Sequence, residues 1–194
     1  MSVNKTKNKI LNVASSLFGR YGFYKTSMDE IAKIARRAKG SLYYHFKSKE
    51  DLFTDVVEIE IKNLKKQLSV ITNDNNLSAD IKIKKYMIKR MELLNSAANY
   101  HETIKADFFE HFNFIDDLRS ELDKWEKDKI KNIISQGVNE GIFENQNNNM
   151  EVLLDVLIMV LKGLEIPFFL QNKYQKYSPY FDNLLKILIK GLSK

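Results

Sequence analysis

The chain has 194 residues, of which 44% are apolar and 29% are charged, the balance of a globular protein with one domain or two small ones. It contains no cysteine, which excludes disulfides, cysteine metal sites and thiol nucleophiles. The first ten residues lack the apolar core of a signal peptide, so we expect a cytoplasmic protein. The net charge of +6 is concentrated: residues 1–53 hold eleven Lys and Arg against four Asp and Glu, whereas the remainder holds twenty against twenty-one. This asymmetry predicts a polyanionic partner for the N-terminal quarter.

Two amphipathic helices are predicted first. The first ends at Gly22, and its apolar face consists of Ile10, Val13, Ala14, Leu17, Phe18 and Tyr21. The second begins near Met28, because Ser27 and Glu30 have the Ser-x-x-Glu spacing of a capping box, in which each side chain bonds the other residue's backbone N–H group.

A short third helix is predicted over residues 41–46, followed by a long fourth helix. Ser48 and Asp51 have the spacing of an N-terminal cap for the long helix. Its apolar stripe recurs with helical spacing and consists of Leu52, Phe53, Val56, Val57, Ile61, Leu64 and Leu68. The helix therefore extends to about residue 71 and joins the basic segment to the rest of the chain.

Five more helices are predicted, near residues 78–98, 101–115, 117–140, 149–171 and 178–193. No segment alternates with period two for long enough to form a strand, so the predicted fold class is all-α. Asp155 and Lys162 interrupt the most apolar helix, which excludes a membrane span. A helix this apolar is expected to be covered by protein on two sides.

The segment KGSLYYHFKSKEDLF, residues 39–53, combines aromatic and basic residues. In a helix, Leu42 and Phe46 share a face that packs on the two preceding helices. Tyr43, Tyr44 and His45 then point partly or wholly outward, which is a poor arrangement for contact with solvent alone. Phenol and imidazole groups bond phosphates and base edges, so the segment predicts a recognition helix for the DNA major groove. The alternative is that the tyrosines complete the local core.

Residues 26–53, TSMDEIAKIARRAKGSLYYHFKSKEDLF, resemble the helix-turn-helix signature of the TetR family of bacterial transcription repressors. The resemblance implies a DNA-binding domain over residues 1–47 and a ligand-binding and dimerisation domain over residues 48–194, with residues 48–72 as the connecting helix. It also implies an all-helical homodimer with about nine helices per chain. Such a dimer binds palindromic operator DNA and releases it when a small hydrophobic or cationic ligand occupies the second domain.

The same resemblance assigns DNA contacts by position. Thr26 or Ser27 would cap the second helix and touch a phosphate, and Lys49 would contact another phosphate. The start of the recognition helix would meet the DNA backbone, and its aromatic residues would reach phosphates and base edges. The expected DNA-binding residues are Thr26, Ser27, Arg36, Arg37, Lys39, Gly40, Ser41, Tyr43, Tyr44, His45 and Lys49.

The turn before the recognition helix departs from the family pattern Ala-Gly-Val-Ser, because this chain has Ala35-Arg36-Arg37-Ala38. Without the glycine, Arg36 must avoid a left-handed conformation or accept about 1–2 kcal/mol. The loss of the capping serine at Ala38 costs about 1 kcal/mol. The two arginines add positive charge where the DNA backbone would run, which can offset these losses.

A ring-rich segment, YHETIKADFFEHFNF over residues 100–114, is the candidate ligand site. Aromatic rings beside carboxylates can bind a lipophilic cation or a neutral hydrophobe, whereas the alternative is an ordinary core with solvated carboxylates. The expected ligand-binding residues are Tyr100, Asp107, Phe108, Phe109, Glu110, Phe112 and Trp125. Asp107 and His111 also have the spacing of half a metal site, but with three histidines and no cysteine we expect no metal and no cofactor.

The last two predicted helices are candidates for dimerisation, because each has more apolar positions than one core can cover. The expected interface residues are Val156, Val160, Leu164, Phe181, Leu184 and Leu188. The alternative is that these stripes only complete the core of a monomer.

No enzyme motif is present: the sequence lacks Gly-x-Gly-x-x-Gly, a Walker loop, Gly-x-Ser-x-Gly and His-Glu-x-x-His. We therefore expect no catalytic residues. The rival interpretation is a helical interaction or scaffold protein that uses its basic face for protein or lipid contact. The match across residues 40–52 argues against that rival.

Overall fold

A computed structural model describes residues 2–105, 113–145 and 149–193. These residues are mainly helical, and their only β pairing is an isolated bridge between Phe143 and Ser193. The prediction of an all-α fold is confirmed. No helix in the described ranges has both the length and the apolar character that crossing a membrane requires.

The helices follow the predicted order. Their bounds are α1 (Ser2–Tyr21), α2 (Met28–Ala35), α3 (Lys39–His45), α4 (Lys49–Thr72), α5 (Ala79–Ser96), α6 (Ala98–Lys105), α7 (Asn113–Asn139), α8 (Met150–Glu165), α9 (Tyr174–Tyr177) and α10 (Phe181–Leu192). A π-helical segment, Ile166–Leu170, follows α8, and a 3-10 turn, Ser178–Tyr180, precedes α10.

Three predicted helix bounds are wrong. The helix predicted over 149–171 changes to π-helical geometry after Glu165, where Pro167 lacks an N–H group for the α-helical hydrogen bond. The break predicted near residue 116 is absent, because α7 begins at Asn113 and its first turn includes Asp116, whose charge suits a helix N-terminus. The third helix begins at Lys39, two residues before the predicted start.

The chain divides into two compact units. The first unit comprises Met1–Asn63 and Ala97–Asp117, and the second comprises Leu64–Ser96 and Leu118–Lys194. Both α4 and α7 contribute residues to each unit. The division at residue 47 that the resemblance implies concerns function rather than compactness, and it stays a prediction.

The first unit has an apolar core in which aromatic rings are central. The Phe53 ring lies 5.1 Å from the rings of both Phe18 and Phe23, and all three side chains are buried. Ile31 of α2 and Leu42 of α3 are fully buried. Burial of Leu42 in this core fixes the orientation of α3, because a helix this short depends on tertiary packing for its stability.

The second unit has charged groups in its core. The Arg90 Nε atom donates to both carboxylate oxygens of Glu126, at 2.8 and 2.9 Å, and its Nη2 atom donates to Glu165 at 3.1 Å. Arg119 donates to the other oxygen of Glu165 at 3.1 Å, and the Tyr86 hydroxyl donates to Glu126 at 2.9 Å. Burial and the Glu126 charge raise the pKa of Tyr86, so the phenol keeps the proton that it donates.

Candidate nucleic-acid interface

The start of α2 has the predicted capping box. The Ser27 hydroxyl accepts a hydrogen bond from the Glu30 N–H group at 3.2 Å, and the Ser27 N–H group donates to the Glu30 carboxylate at 3.0 Å. Thr26 is only 2% exposed, and its hydroxyl donates to the Gly22 carbonyl at 2.9 Å. Of the two candidate caps, Ser27 therefore fills the role and is exposed, whereas the Thr26 side chain faces the interior.

The turn between α2 and α3 keeps the geometry that usually requires glycine. Arg36 adopts φ 53° and ψ 54°, so this arginine accepts the left-handed conformation. Its N–H group bonds the Lys33 carbonyl at 3.1 Å, and the Arg37 N–H group bonds the Ala32 carbonyl at 3.0 Å, the paired pattern of a Schellman motif. Both guanidinium side chains are exposed. Ala38, at the N-cap of α3, provides no side-chain hydrogen bond.

The helix α3 presents its aromatic residues as predicted. Leu42 is fully buried and Phe46, directly after the helix, is 3% exposed. Tyr43 is 47% exposed and Tyr44 is 77% exposed, which rules out the alternative that both tyrosines complete the core. His45 is half-buried, and its ring lies 5.1 Å from the Tyr44 ring.

Gly40 leaves open space on the outer side of α3. A Cβ atom built at Gly40 would have no neighbour within 4 Å, so internal packing does not require glycine there. An external partner can approach the backbone closely at this position. The neighbouring Ser41 is half-buried.

The expected cationic contacts differ in their internal bonding. The Lys39 ammonium lies 2.8 Å from Asp29, and hydrogen bonding to that carboxylate raises the pKa of Lys39. The Lys49 ammonium donates to the carbonyls of Phe23 and Thr26 at 3.1 and 3.2 Å, and it lies 4.2 Å from the Phe23 ring centroid. Lys49 therefore ties α4 to the α1–α2 connection and retains one N–H donor for a phosphate.

Two exposed tyrosines at the end of α1 and just after it were missed. Tyr21 is 49% exposed and Tyr24 is 61% exposed, and the Arg20 guanidinium lies 5.1 Å from the Tyr21 ring. The prediction that Tyr21 belongs to the apolar face of α1 is wrong, because this last residue of the helix turns outward. Each tyrosine has a basic neighbour in the sequence, Arg20 before Tyr21 and Lys25 after Tyr24. This pairing of rings with cations could have indicated that the two tyrosines are exposed.

Most of the expected ligand-binding residues, Asp107, Phe108, Phe109, Glu110 and Phe112, lie outside the described residues, as does His111. Tyr100 is buried in the first unit, where its N–H group bonds Glu60 at 2.8 Å. Trp125 is half-buried in the second unit, and the ammonium groups of Lys65 and Lys129 each lie 5.8 Å from its ring. Among the described side chains, no cluster of three potential metal ligands occurs.

The expected dimerisation residues fall into two groups. Val156, Val160, Leu184 and Leu188 are between 44% and 52% exposed. Phe181 is buried with its ring 5.4 Å from Phe168, so its side chain serves the core of its own chain, and Leu164 is half-buried. The expected residues do not include Met159, an apolar residue of α8 that is 69% exposed.

Proteins with similar sequences are bacterial transcription regulators. Residues 10–56 match the model of bacterial regulatory proteins of the tetR family. A segment of 54 residues is 50% identical to the HTH-type transcriptional regulator QacR of Staphylococcus aureus, but the match covers only 28% of this chain and 29% of QacR.

Solved structures match over nearly the whole chain. A transcriptional regulator from Cytophaga hutchinsonii has a TM-score of 0.72 at 24% identity, covering 95% of this chain and 97% of that one. The regulator FadR from Bacillus subtilis, solved in complex with stearoyl-CoA, has a TM-score of 0.72 at 18% identity, covering 95% and 98%. At these identities the similarity establishes the fold.

Proposed function

We propose that this chain, whose residues 10–56 match the tetR family of bacterial regulatory proteins, is a ligand-responsive transcriptional repressor that binds operator DNA as a homodimer. The α2–α3 segment would be its helix-turn-helix, with α3 as the recognition helix in the major groove. The match to QacR covers only 28% of this chain, so the operator, the ligand and the direction of regulation belong to the proposal.

The observation that carries the proposal is the exposure of Tyr44. This phenol is 77% exposed on a helix whose other face, through Leu42, is fully buried. An aromatic side chain held outward by a rigid helix is poorly used in solvent alone. Among exposed cations, it suits a surface that offers both phosphate oxygens and base edges.

The remaining candidate contacts divide by chemistry. Ser27 and the arginines of the turn, Arg36 and Arg37, offer hydroxyl and guanidinium donors for phosphates. Lys39 would exchange Asp29 for a phosphate, because the present ion pair is exposed and therefore weak. Tyr43, Tyr44 and His45 would then account for sequence discrimination.

Dimerisation is supported by the outer faces of α8 and α10. Leu154 and Leu161 bury one side of α8, while residues on its other side remain exposed. The exposed apolar residues of the two helices include Val152, Leu153, Val156, Met159, Val160, Leu184, Ile187 and Leu188. Two helices from each subunit can close into a four-helix bundle around a two-fold axis, which covers these residues. The same symmetry would repeat α3 on a palindromic site.

Ligand response would be a shift between DNA-competent and DNA-incompetent states of the dimer. A ligand has an effect only if it binds the second state more tightly than the first. The connecting helix α4 would transmit the change from the ligand site to the helix-turn-helix, since its residues belong to both compact units. FadR from Bacillus subtilis, a structural neighbour, was solved with stearoyl-CoA, which favours a small hydrophobic ligand in the present chain as well.

The ligand can be sought through Trp125, the only tryptophan. A panel of acyl thioesters, neutral hydrophobes and lipophilic aromatic cations would be titrated while Trp125 emission and affinity for DNA are followed. A ligand of this class should lower DNA affinity and change the emission together. If no compound changes either signal, ligand control is contradicted, whereas DNA binding is judged separately.

The test of DNA binding uses Tyr44→Ala and His45→Ala. Each variant should lose about 1–3 kcal/mol of discrimination between the protein's own promoter fragment and a scrambled fragment, because a base contact is removed. Tyr177→Ala is the matched control, since Tyr177 is also exposed but lies in the second unit. Circular dichroism and sedimentation should be unchanged for all three. Promoter binding equal to wild type in both α3 variants would show that the recognition-helix assignment is wrong.

The rival, a scaffold protein with a basic face, makes a different prediction for the same assay. A scaffold would bind promoter and scrambled DNA equally, and both affinities would fall together as the salt concentration rises. A regulator should retain preference for its promoter fragment at physiological salt.

A further inference from the structure

A groove in the first unit adds a second basic surface. Its volume is about 620 Å³, and it is lined by Lys5, Asn8, Lys9, Asn12 and Arg37. The four residues from α1 are spaced i, i+3, i+4 and i+7, so they form one stripe of that helix. The opposite stripe is the buried face that contains Ile10, Ala14 and Phe18. The groove is thus bounded by the outer side of α1 and by the turn between α2 and α3.

The positive charge of this groove is not neutralised. Residues 1–28 contain no Asp or Glu. Lys7, on another side of α1, is used internally: its ammonium lies 2.8 Å from Asp55 and 5.3 Å from the Phe46 ring centroid. By contrast, Lys5, Lys9 and Arg37 are exposed and have no acidic partner within the described ranges.

We propose that this groove binds phosphodiester groups of the DNA backbone that flank the segment contacted by α3, an inference that rests on the proposed function. Arg37 connects the two surfaces, because it lines the groove and lies two residues before α3 begins. Phosphate oxygens only accept hydrogen bonds, and the lining supplies ammonium, guanidinium and amide donors.

The dimensions of the stripe fit a DNA strand. From Lys5 to Asn12 the helix rises about 10 Å, which corresponds to the axial rise of about three successive phosphates. The lining side chains include no aromatic or aliphatic residue, which argues against a membrane surface or a hydrophobic protein partner. Contacts of this kind hold the protein in register on the duplex and add affinity without reading sequence.

The test replaces the two lysines of the groove and leaves Arg37 in place, because Arg37 is already an expected phosphate contact of the turn. The variant carries Lys5→Gln and Lys9→Gln, and its matched control carries Lys66→Gln and Lys85→Gln, two exposed lysines outside the first unit. Both full-length proteins lose the same net charge. Their affinities for the promoter fragment and for a scrambled fragment are measured by fluorescence anisotropy across a range of sodium chloride concentrations.

The groove variant should reduce the magnitude of the slope of log K against log salt by about 2, because each of the two lost phosphate contacts removes about 0.9. Affinity for both fragments should fall by the same factor, so the preference for the promoter should be unchanged. Hydroxyl-radical footprints should lose protection only at the flanks of the site. The control should keep the wild-type slope and footprint.

The outcomes separate this inference from the proposed function. If wild-type protein prefers its promoter but the groove variant keeps the control's slope and footprint, the groove is only a solvated face and the inference is wrong. Loss of promoter preference in the groove variant would also overturn it, since the contacts would then read sequence. Loss of binding only to anionic phospholipid vesicles would assign the groove to a membrane. Wild-type protein without promoter preference would contradict the proposed function itself.

Discussion

The two compact units distribute charge in opposite ways. The first unit buries aromatic and aliphatic side chains around Phe53 and exposes cations together with Tyr44. The second unit buries Arg90, Arg119, Glu126 and Glu165, and it exposes Val160, Leu188 and their apolar neighbours. The first arrangement suits a charged polymer on the outside, whereas the second suits an apolar protein surface.

The contrast shows that the kind of partner an exposed apolar residue suits depends on the charges around it. Tyr44 lies on a short helix that begins with Lys39 and is followed by Lys47. The exposed stripe of α8 instead has apolar neighbours along its length, such as Val156 and Met159. Exposed rings among cations are typical of nucleic-acid contact, while a continuous apolar face is typical of a subunit interface.

The strongest test of the contrast places charge on the apolar face of the second unit. Val160→Glu combined with Leu188→Glu should produce monomers and weaken DNA binding by about a hundredfold or more, because two linked half-site contacts become one. Sedimentation velocity and anisotropy would measure the two effects.

A control with Ile59→Glu and Val70→Glu introduces the same charges at exposed apolar positions of α4 and should remain dimeric. Wild-type protein that is already monomeric at micromolar concentration would defeat the prediction and weaken the proposal of a dimeric repressor.

The buried charges of the second unit can be tested by removing one of them. Arg90→Met should lower the free energy of unfolding by about 3–5 kcal/mol, because Glu126 and Glu165 would each lose a buried partner. Lys162→Met is the control: its 2.8 Å pair with Asp123 is partly exposed, so the loss should be about 1 kcal/mol or less. Urea denaturation followed by circular dichroism measures both. Equal losses of unfolding free energy in the two variants would show that the buried ion pairs of Arg90 stabilise the fold no more than the partly exposed pair of Lys162 does.

A smaller effect is expected at the turn of the first unit. Arg36→Gly should raise the free energy of unfolding by about 1 kcal/mol, because glycine adopts the left-handed conformation without strain. The same variant should bind DNA less tightly, since an exposed cation is lost. Arg37→Gly is the control, because Arg37 has no positive φ and glycine should give no gain in stability. A lower melting temperature for Arg36→Gly than for wild type would contradict the strain argument.

The smallest effect concerns an exposed carboxylate in the second unit. Hydrogen bonds from Gln136 and from the Ala79 N–H group lower the pKa of Glu140 below its ordinary value of 4.5. A lowered folded-state pKa means that the bonds stabilise the fold above about pH 4.5 and that this contribution disappears as the pH falls through the folded value. Unfolding curves of wild type and Glu140→Gln should therefore converge at low pH. A difference that stays constant from neutral to acidic pH would show that the charge of Glu140 is not involved.

The sequence alone determined the local structure of the α2–α3 segment. The capping box of Ser27 and Glu30 and the outward direction of Tyr44 follow from spacing within a few residues. Local hydrogen bonds and helical periodicity decide such features, so a single sequence contains the necessary information. The large number of apolar residues in α8 could also be predicted, because it depends only on the sequence of that one helix.

Tertiary structure decided the features that depend on residues far apart in the sequence. Arg90, Glu126 and Glu165 lie on three helices, and nothing in their local sequence distinguishes them from solvated charges. Packing likewise turned Thr26 and Phe181 inward, although their positions suggested contact with a partner. The groove between α1 and Arg37 exists only because the folded first unit brings the two together. Periodicity shows which residues share a face, but long-range packing determines what that face meets.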